Sequence, residues 1–117
     1  MSETNKKIAN KISEYMLDKK AKDIKIIKVD KLTSITDYFI ICTSESDPQA
    51  KAITKHIKDS LFEDTGIKPW HIEGYEKLSW VLLDYIDTVV HIFKTEERDY
   101  YNIESLWSDA PKKEYTY

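Results

Sequence analysis

The sequence predicts a single small α/β (α+β) domain, in which helices pack on a mixed β-sheet of about five strands. The chain has 117 residues and 41% hydrophobic content, which is enough for one core. Two segments have helical apolar spacing, whereas several short runs rich in β-branched and aromatic residues are typical of strands. The order strand, helix, strand over residues 38–75 indicates a βαβ unit, in which a right-handed crossover places helix 2 against one face of the sheet.

The first elements are a helix and two strands. Apolar side chains recur at helical spacing from Ile8 to Met16 and predict helix 1 over about residues 4–20. The β-branched run from Ile24 to Val29 predicts strand 1, and the run from Tyr38 to Thr43 predicts strand 2.

Helix 2 has clear signals at both ends. Asp47 is expected as the N-cap and Pro48 as the first helical residue, where the missing N–H of proline costs nothing. Gly66 supplies the left-handed residue that ends the helix. The buried face is expected to contain the apolar residues spaced by three and four: Ala50, Ile53, Ile57 and Leu61.

The remaining strands are predicted after helix 2. Residues 68–75 form strand 3 at an edge of the sheet, because Pro69 cannot donate a hydrogen bond to a neighbouring strand. Two apolar runs, Trp80 to Tyr85 and Thr88 to Phe93, are separated by a short polar break and predict a hairpin that extends the sheet.

The C-terminal part continues the same domain. Its aromatic-rich segment after the hairpin is predicted to form short helical turns, and residues 111–117 a flexible tail. No composition shift marks a boundary, so residues 1–117 are expected to be one domain.

Charge and cysteine content exclude several classes of protein. The 18 basic and 21 acidic residues give a net charge of -3, so we expect little or no direct nucleic-acid binding and favour a partner with a basic protein surface. The single cysteine, Cys42, cannot form an internal disulfide, and no apolar run follows the N-terminus. A cytoplasmic protein without a membrane span is expected, since no apolar stretch approaches roughly 18 residues.

No catalytic residue, metal site or cofactor is predicted from the cysteine and histidines. Cys42 lies mid-strand without an adjacent basic residue and is expected to be a packed side chain. The three histidines lie on different elements without metal-ligand spacing. We interpret His91 as a structural histidine held by a hydrogen bond to Asp84 or Asp87.

A metal-dependent nucleotidyltransferase, or a nucleotide-binding protein, is the alternative function. Asp84 and Asp87 would hold the metal, and the turn from Ser44 to Ser46 would cradle the phosphates at a helix start. This turn has no glycine, and Glu45 would repel a phosphate, so the residues disfavour the alternative without excluding it.

Aromatic residues favour a protein-binding module. The chain has eight Tyr, three Trp and three Phe, many of them in its C-terminal half. Core packing accounts for each of Trp70, Trp80 and Trp107 about as well as exposure does. Trp and Tyr beside exposed carboxylates are typical of interface centres.

An ordered series of motifs over roughly residues 21–110 resembles the ribosomal silencing factor family, also called RsfS or Iojap-related proteins. In chain order the motifs are Lys22-Asp23-Ile24, Thr36 to Ile41, Ser46 to Gln49, Glu73-Gly74, Trp80 to Tyr85, Asp87 to Phe93, Arg98 with Tyr101, and Leu106 to Ala110. The resemblance implies a nucleotidyltransferase-like topology that lacks the catalytic motif.

The resemblance also implies the function. Members of the family bind the large ribosomal subunit through its protein number fourteen, block joining of the small subunit and repress translation during starvation. The implied mechanism is steric, without catalysis. The resemblance is also compatible with a homodimer.

Site residues follow from the resemblance at matching positions. Trp80 and Tyr85 are expected as aromatic anchors for the ribosomal protein, and Asp84 and Asp87 as carboxylates that face its basic side chains. Strict alternation places Trp80 and Tyr85 on opposite faces of a strand, so a bulge, a strand end or an edge location is expected to bring both to one surface.

Three positions depart from the family pattern. Pro48 replaces a basic residue, and Ser44 and Ile86 replace glycines. Because a β-branched residue disfavours positive φ, the hairpin turn at Ile86 is expected to have a different geometry.

Overall fold

The computed structural model describes residues 2–115, and side chains from residue 4 to residue 112. The elements are α1 (Ser2–Asp18), β1 (Lys22–Lys28), β2 (Tyr38–Ser44), α2 (Asp47–Thr65), β3 (His71–Glu73), β4 (Trp80–Asp84), β5 (Thr88–Lys94), α3 (Thr95–Tyr101), a 3₁₀ helix (Ile103–Trp107) and β6 (Lys112–Tyr115). The predicted fold class is confirmed. Within the described residues, none of the helices has the length and apolar content needed to cross a membrane.

The strands form one mixed sheet in the order β3-β4-β5-β2-β1-β6. Only β2 and β5 pair in parallel, and every other neighbouring pair is antiparallel. Strand β3 lies at an edge and runs parallel to β2, as the βαβ interpretation requires. The hairpin β4–β5 joins the same sheet, as predicted, and lies between β3 and β2. Strand β5 is largely buried on both faces, which suits a central position.

The sixth strand was not predicted. Lys112–Tyr115, which the sequence assigned to a flexible tail, pairs antiparallel with β1 instead. This segment contains Lys112-Lys113-Glu114 and lacks the apolar alternation that identifies a strand, but β1 offers it an otherwise unpaired edge. Residues 116–117 of the assigned tail lie outside the described residues.

Helix α2 begins one residue earlier than predicted. Ser46 is the N-cap, and its Oγ accepts a hydrogen bond from Gln49 N at 3.2 Å. Asp47 is therefore the first helical residue, and it pairs with Lys94 on β5. Gly66 ends the helix with φ 77°, and the predicted buried face is confirmed at all four positions.

Helices α1 and α2 cover one face of the sheet, which we call the helix face. Its core contains most of the buried residues, including Ile12, Ile40, Ile57 and Val90. The opposite face, here the open face, has a smaller cluster around Ile41 and Phe93, covered by the segment 103–110. Trp80 at the start of β4 packs against this cluster, whereas Leu82 and Asp84 on β4 and Val89 on β5 are half-buried and are not part of it.

Candidate protein-binding site

Side chains alternate between the two faces along β4. Val81 and Leu83 are buried on the helix face, whereas Trp80, Leu82 and Asp84 are half-buried on the open face. Tyr85 follows the strand on the helix side and is only 9% exposed. The structure therefore separates the two aromatic residues that the sequence assigned to one binding site.

Trp80 is held on three sides. Its ring lies 4.7 Å from that of Phe93 and 4.7 Å from that of Tyr101, measured between centroids. The indole Nε1 donates a hydrogen bond to Nδ1 of His91 at 3.0 Å. Gly74, with φ 80°, packs directly against the carbonyl group of Trp80. Trp80 is thus fixed in place while part of its ring stays accessible.

His91 is structural, as expected, but its predicted partner is wrong. In the β4–β5 register Asp84 lies opposite Val89, whereas His91 lies opposite Leu82, so the imidazole reaches Trp80 rather than a carboxylate. Burial lowers the pKa of His91 to about 4, and the ring is neutral at neutral pH. Because Nδ1 accepts from Trp80, Nε2 carries the proton.

The turn between β4 and β5 keeps the positive φ that the sequence argued against. Ile86 has φ 74°, and Asp87 N donates to Tyr85 O at 2.9 Å, the hydrogen bond of a γ-turn. Asp84 Oδ1 accepts from Ile86 N at 2.7 Å. These two hydrogen bonds hold a conformation that isoleucine disfavours, and they show that Asp84 shapes the turn.

An apolar groove lies beside this turn. It has a volume of about 310 Å³ and is lined by Ile35, Trp70, Asp84, Ile86 and Val89. Ile35 is 83% exposed and Trp70 is 73% exposed, although large apolar side chains normally avoid such exposure when they lie together. We call it the Trp70 groove. The sequence did not assign Ile35 to a site, because its place beside β4 depends on tertiary structure alone.

One acidic side chain, that of Asp84, lies half-buried in the wall of the Trp70 groove. Asp87 is exposed at the tip of the turn and lines a separate hollow together with Ile8 and Tyr85. The backbone oxygen of Asp87 accepts hydrogen bonds from Asp37 N and Tyr38 N, which fixes the turn to the start of β2. The arrangement suits an apolar side chain flanked by basic ones on a partner.

A partly buried ionic network anchors the C-terminal segment that carries Tyr101. Arg98 Nη1 donates to Asp23 O at 2.6 Å and to Thr43 Oγ1 at 2.8 Å. Arg98 Nε bonds Glu104 at 2.7 Å, and Lys25 bonds the same carboxylate at 2.8 Å. Burial opposes ionisation of Glu104, but the hydrogen bonds from the two cations outweigh it and lower the pKa to about 2.

The residues of the nucleotidyltransferase alternative do not come together. Ser44 lies beside Lys94 at one end of β5, and Asp84 lies beside Val89 at the other end. A strand of seven residues separates them by roughly 20 Å. Among the side chains that the structure describes, no three of metal-binding type form a cluster.

The turn at the start of α2 is also occupied by the chain itself. Glu45 N donates to the Gln49 side chain at 2.7 Å, and Ser44 Oγ donates to Ser46 O at 2.7 Å. These groups already have internal partners, so the turn does not present the free backbone donors of a phosphate cradle.

Comparisons with known proteins identify the class of protein. A family model described as "Ribosomal silencing factor during starvation" matches residues 2–116. The ribosomal silencing factor RsfS of Bacillus subtilis is 45% identical over 94 residues, which cover 80% of this chain and 79% of that protein. The chloroplastic protein Iojap of Arabidopsis thaliana is 34% identical over 87% of this chain and 42% of its own length.

Solved structures support the same assignment. A crystal structure of a Chromobacterium violaceum protein superposes with a TM-score of 0.84 and 37% identity, covering 88% of this chain and 85% of that chain. A crystal structure from Bacillus halodurans gives a TM-score of 0.76 and 33% identity, covering 95% and 97%. The chain belongs to the ribosomal silencing factor family.

Proposed function

We propose that this protein binds the large ribosomal subunit through its protein number fourteen and sterically blocks joining of the small subunit, without catalysis, in the cytoplasm under nutrient limitation. Family membership supports the class of function. The observation that carries the site is the Trp70 groove on the open face, with Asp84 in its wall and the half-buried Trp80 on the same face of β4. Asp87 lies at the tip of the adjoining turn.

Two features of this surface favour a protein partner. Trp70 and Trp80 provide large rigid rings, and such rings account for much of the binding energy at protein interfaces. The carboxylates of Asp84 and Asp87 complement a basic ribosomal protein, where opposite charge mainly raises the association rate and fixes the orientation.

The four residues inferred from the family resemblance have different roles in this proposal. Trp80 contacts the partner directly, and Asp84 both forms the groove wall and holds the turn through Ile86 N. Asp87 steers association from its exposed position. Tyr85 supports the turn from the helix face, where it is buried.

Sucrose-gradient sedimentation with purified subunits tests the function. Wild-type protein is expected to migrate with the large subunit and to reduce the fraction of joined ribosomes when both subunits are present. Undiminished joining at saturating protein would refute the steric mechanism, and migration with the small subunit alone would refute the proposed partner.

A pair of charge reversals tests the role of the acidic rim. Asp87→Lys on the turn and Glu63→Lys on α2 change the net charge equally, and both side chains are exposed. Asp87→Lys should slow association with the large subunit about tenfold or more at low salt, whereas Glu63→Lys should leave the rate close to that of wild type. Equal slowing by both variants would show that only net charge matters.

A further inference from the structure

His91 lies beneath the binding surface in direct contact with Trp80. Its Nδ1 accepts the indole hydrogen bond at 3.0 Å. The imidazole is nearly parallel to the ring of Phe93, with an angle of 11° and centroids 6.0 Å apart. The ring of Phe39 meets it edge to face at 5.1 Å. These contacts enclose His91 until only 5% of it is exposed.

Packing alone does not account for a histidine at this position. Nε2 of His91 is buried and has no hydrogen-bond partner within the described part of the chain, and a buried donor without a partner destabilises a fold. A phenylalanine ring would fill the same space between Phe93 and Phe39 without this penalty. The chemical property that histidine adds is the acceptor for Trp80.

We propose that His91 is a positioning residue that fixes the indole of Trp80 in the orientation that the ribosomal partner binds. The proposal rests on the function proposed above. Without the acceptor, the half-buried indole N–H finds a hydrogen-bond partner only when the ring turns toward water. Part of the binding free energy must then be spent on returning the ring to the orientation that the partner binds. A ring held in place before binding loses less conformational entropy on association.

Two substitutions separate positioning from packing. His91→Phe keeps an aromatic ring and removes the acceptor, whereas His91→Asn places an amide oxygen near the position of Nδ1 and gives up ring packing. We expect His91→Phe to weaken binding to large subunits about tenfold while the melting temperature stays level or rises. His91→Asn should lower the melting temperature and bind within about threefold of wild type at a temperature where it is folded. A His91→Phe protein that binds like wild type would overturn the proposal.

The indole N–H signal reports on the hydrogen bond without any partner. In ¹H–¹⁵N spectra the Trp80 indole resonance is assigned by its loss in Trp80→Phe. It should move upfield and exchange faster with water in His91→Phe, and stay close to its wild-type position in His91→Asn. An unchanged resonance in His91→Phe would refute the positioning role. Absence of wild-type binding to subunits would instead refute the proposed function, and the spectra would still decide whether His91 holds the indole.

Discussion

Trp80 and Tyr85 lie on opposite faces of the sheet, although both belong to one short motif at β4. Trp80 packs on Phe93 on the open face at 4.7 Å between ring centroids, whereas Tyr85 is enclosed in the helix-face core. The two aromatic side chains therefore differ in exposure: Trp80 is half-buried, whereas Tyr85 is buried.

Removing the hydroxyl of Tyr85 should not weaken the fold. Its oxygen is buried without a hydrogen-bond partner among the described residues, and burial raises the pKa of the phenol above its ordinary value. Tyr85→Phe is expected to leave the free energy of unfolding unchanged or to raise it by up to about 1 kcal/mol, with unchanged binding to large subunits. Urea unfolding measures the first effect, and a loss of more than 1 kcal/mol would reveal a partner for the hydroxyl.

Ile86→Gly should separate stability from binding. Glycine adopts φ near 74° without strain, so the substitution is expected to raise the free energy of unfolding by about 0.5–1 kcal/mol. It also removes a side chain from the Trp70 groove, and affinity for the large subunit should fall. Thermal unfolding and a binding titration on the same protein test both parts; reduced stability would show that Ile86 packs more than its 57% exposure indicates.

The two glycines make a matched pair. Both have positive φ, but a Cβ at Gly74 would collide with the carbonyl oxygen of Trp80, whereas a Cβ at Gly66 meets nothing within 4 Å. Gly66→Ala should cost about 1 kcal/mol of stability from backbone strain alone. Gly74→Ala should cost at least twice as much in urea unfolding and weaken binding, because it displaces β4 at Trp80. Equal losses of unfolding free energy in the two variants would contradict the close contact between Gly74 and the carbonyl group of Trp80.

Glu104 should contribute to acid sensitivity. Its folded-state pKa of about 2 lies below its ordinary value of 4.5, so its stabilising effect is complete above pH 4.5 and is lost as the pH falls toward 2. Glu104→Gln should reduce stability by about 1–3 kcal/mol at neutral pH and flatten the decline between pH 4.5 and 2. The measurement is the free energy of unfolding of wild type and Glu104→Gln at several pH values across this range. If the two plots against pH are parallel, the pKa of Glu104 is the same in the folded and unfolded states, contrary to the prediction.

Local signals account for most of the helices and strands. Pro48 and Gly66 mark the ends of α2 to within one residue, and the apolar runs on each side of residues 86–87 locate the hairpin. Strand order could not be read in this way, because the pairing of β5 with β2 depends on which long-range contacts bury apolar surface best. Strand β6 escaped prediction because its polar side chains carry no strand pattern.

The site was predictable only in part. The expectation that Trp80 and Tyr85 reach one surface is wrong, because alternation holds along β4 without a register shift. The Trp70 groove combines a loop before β2, the residue before β3 and the hairpin turn, so Ile35 and Trp70 meet only in the folded chain. Arg98 likewise has no sequence signal of burial, because its partners Asp23 and Thr43 are distant in the chain.

Calorimetric binding of isolated large-subunit protein number fourteen tests the central claim, that the open face binds the ribosome. Trp70→Ala removes a 73% exposed ring from the open face, and Phe62→Ala removes a 47% exposed ring from α2 on the other side. We expect Trp70→Ala and Trp80→Ala each to lose about 2 kcal/mol or more of binding free energy, roughly thirtyfold in affinity, while Phe62→Ala binds like wild type. Normal binding by both folded tryptophan variants, or a loss confined to Phe62→Ala, would contradict the account.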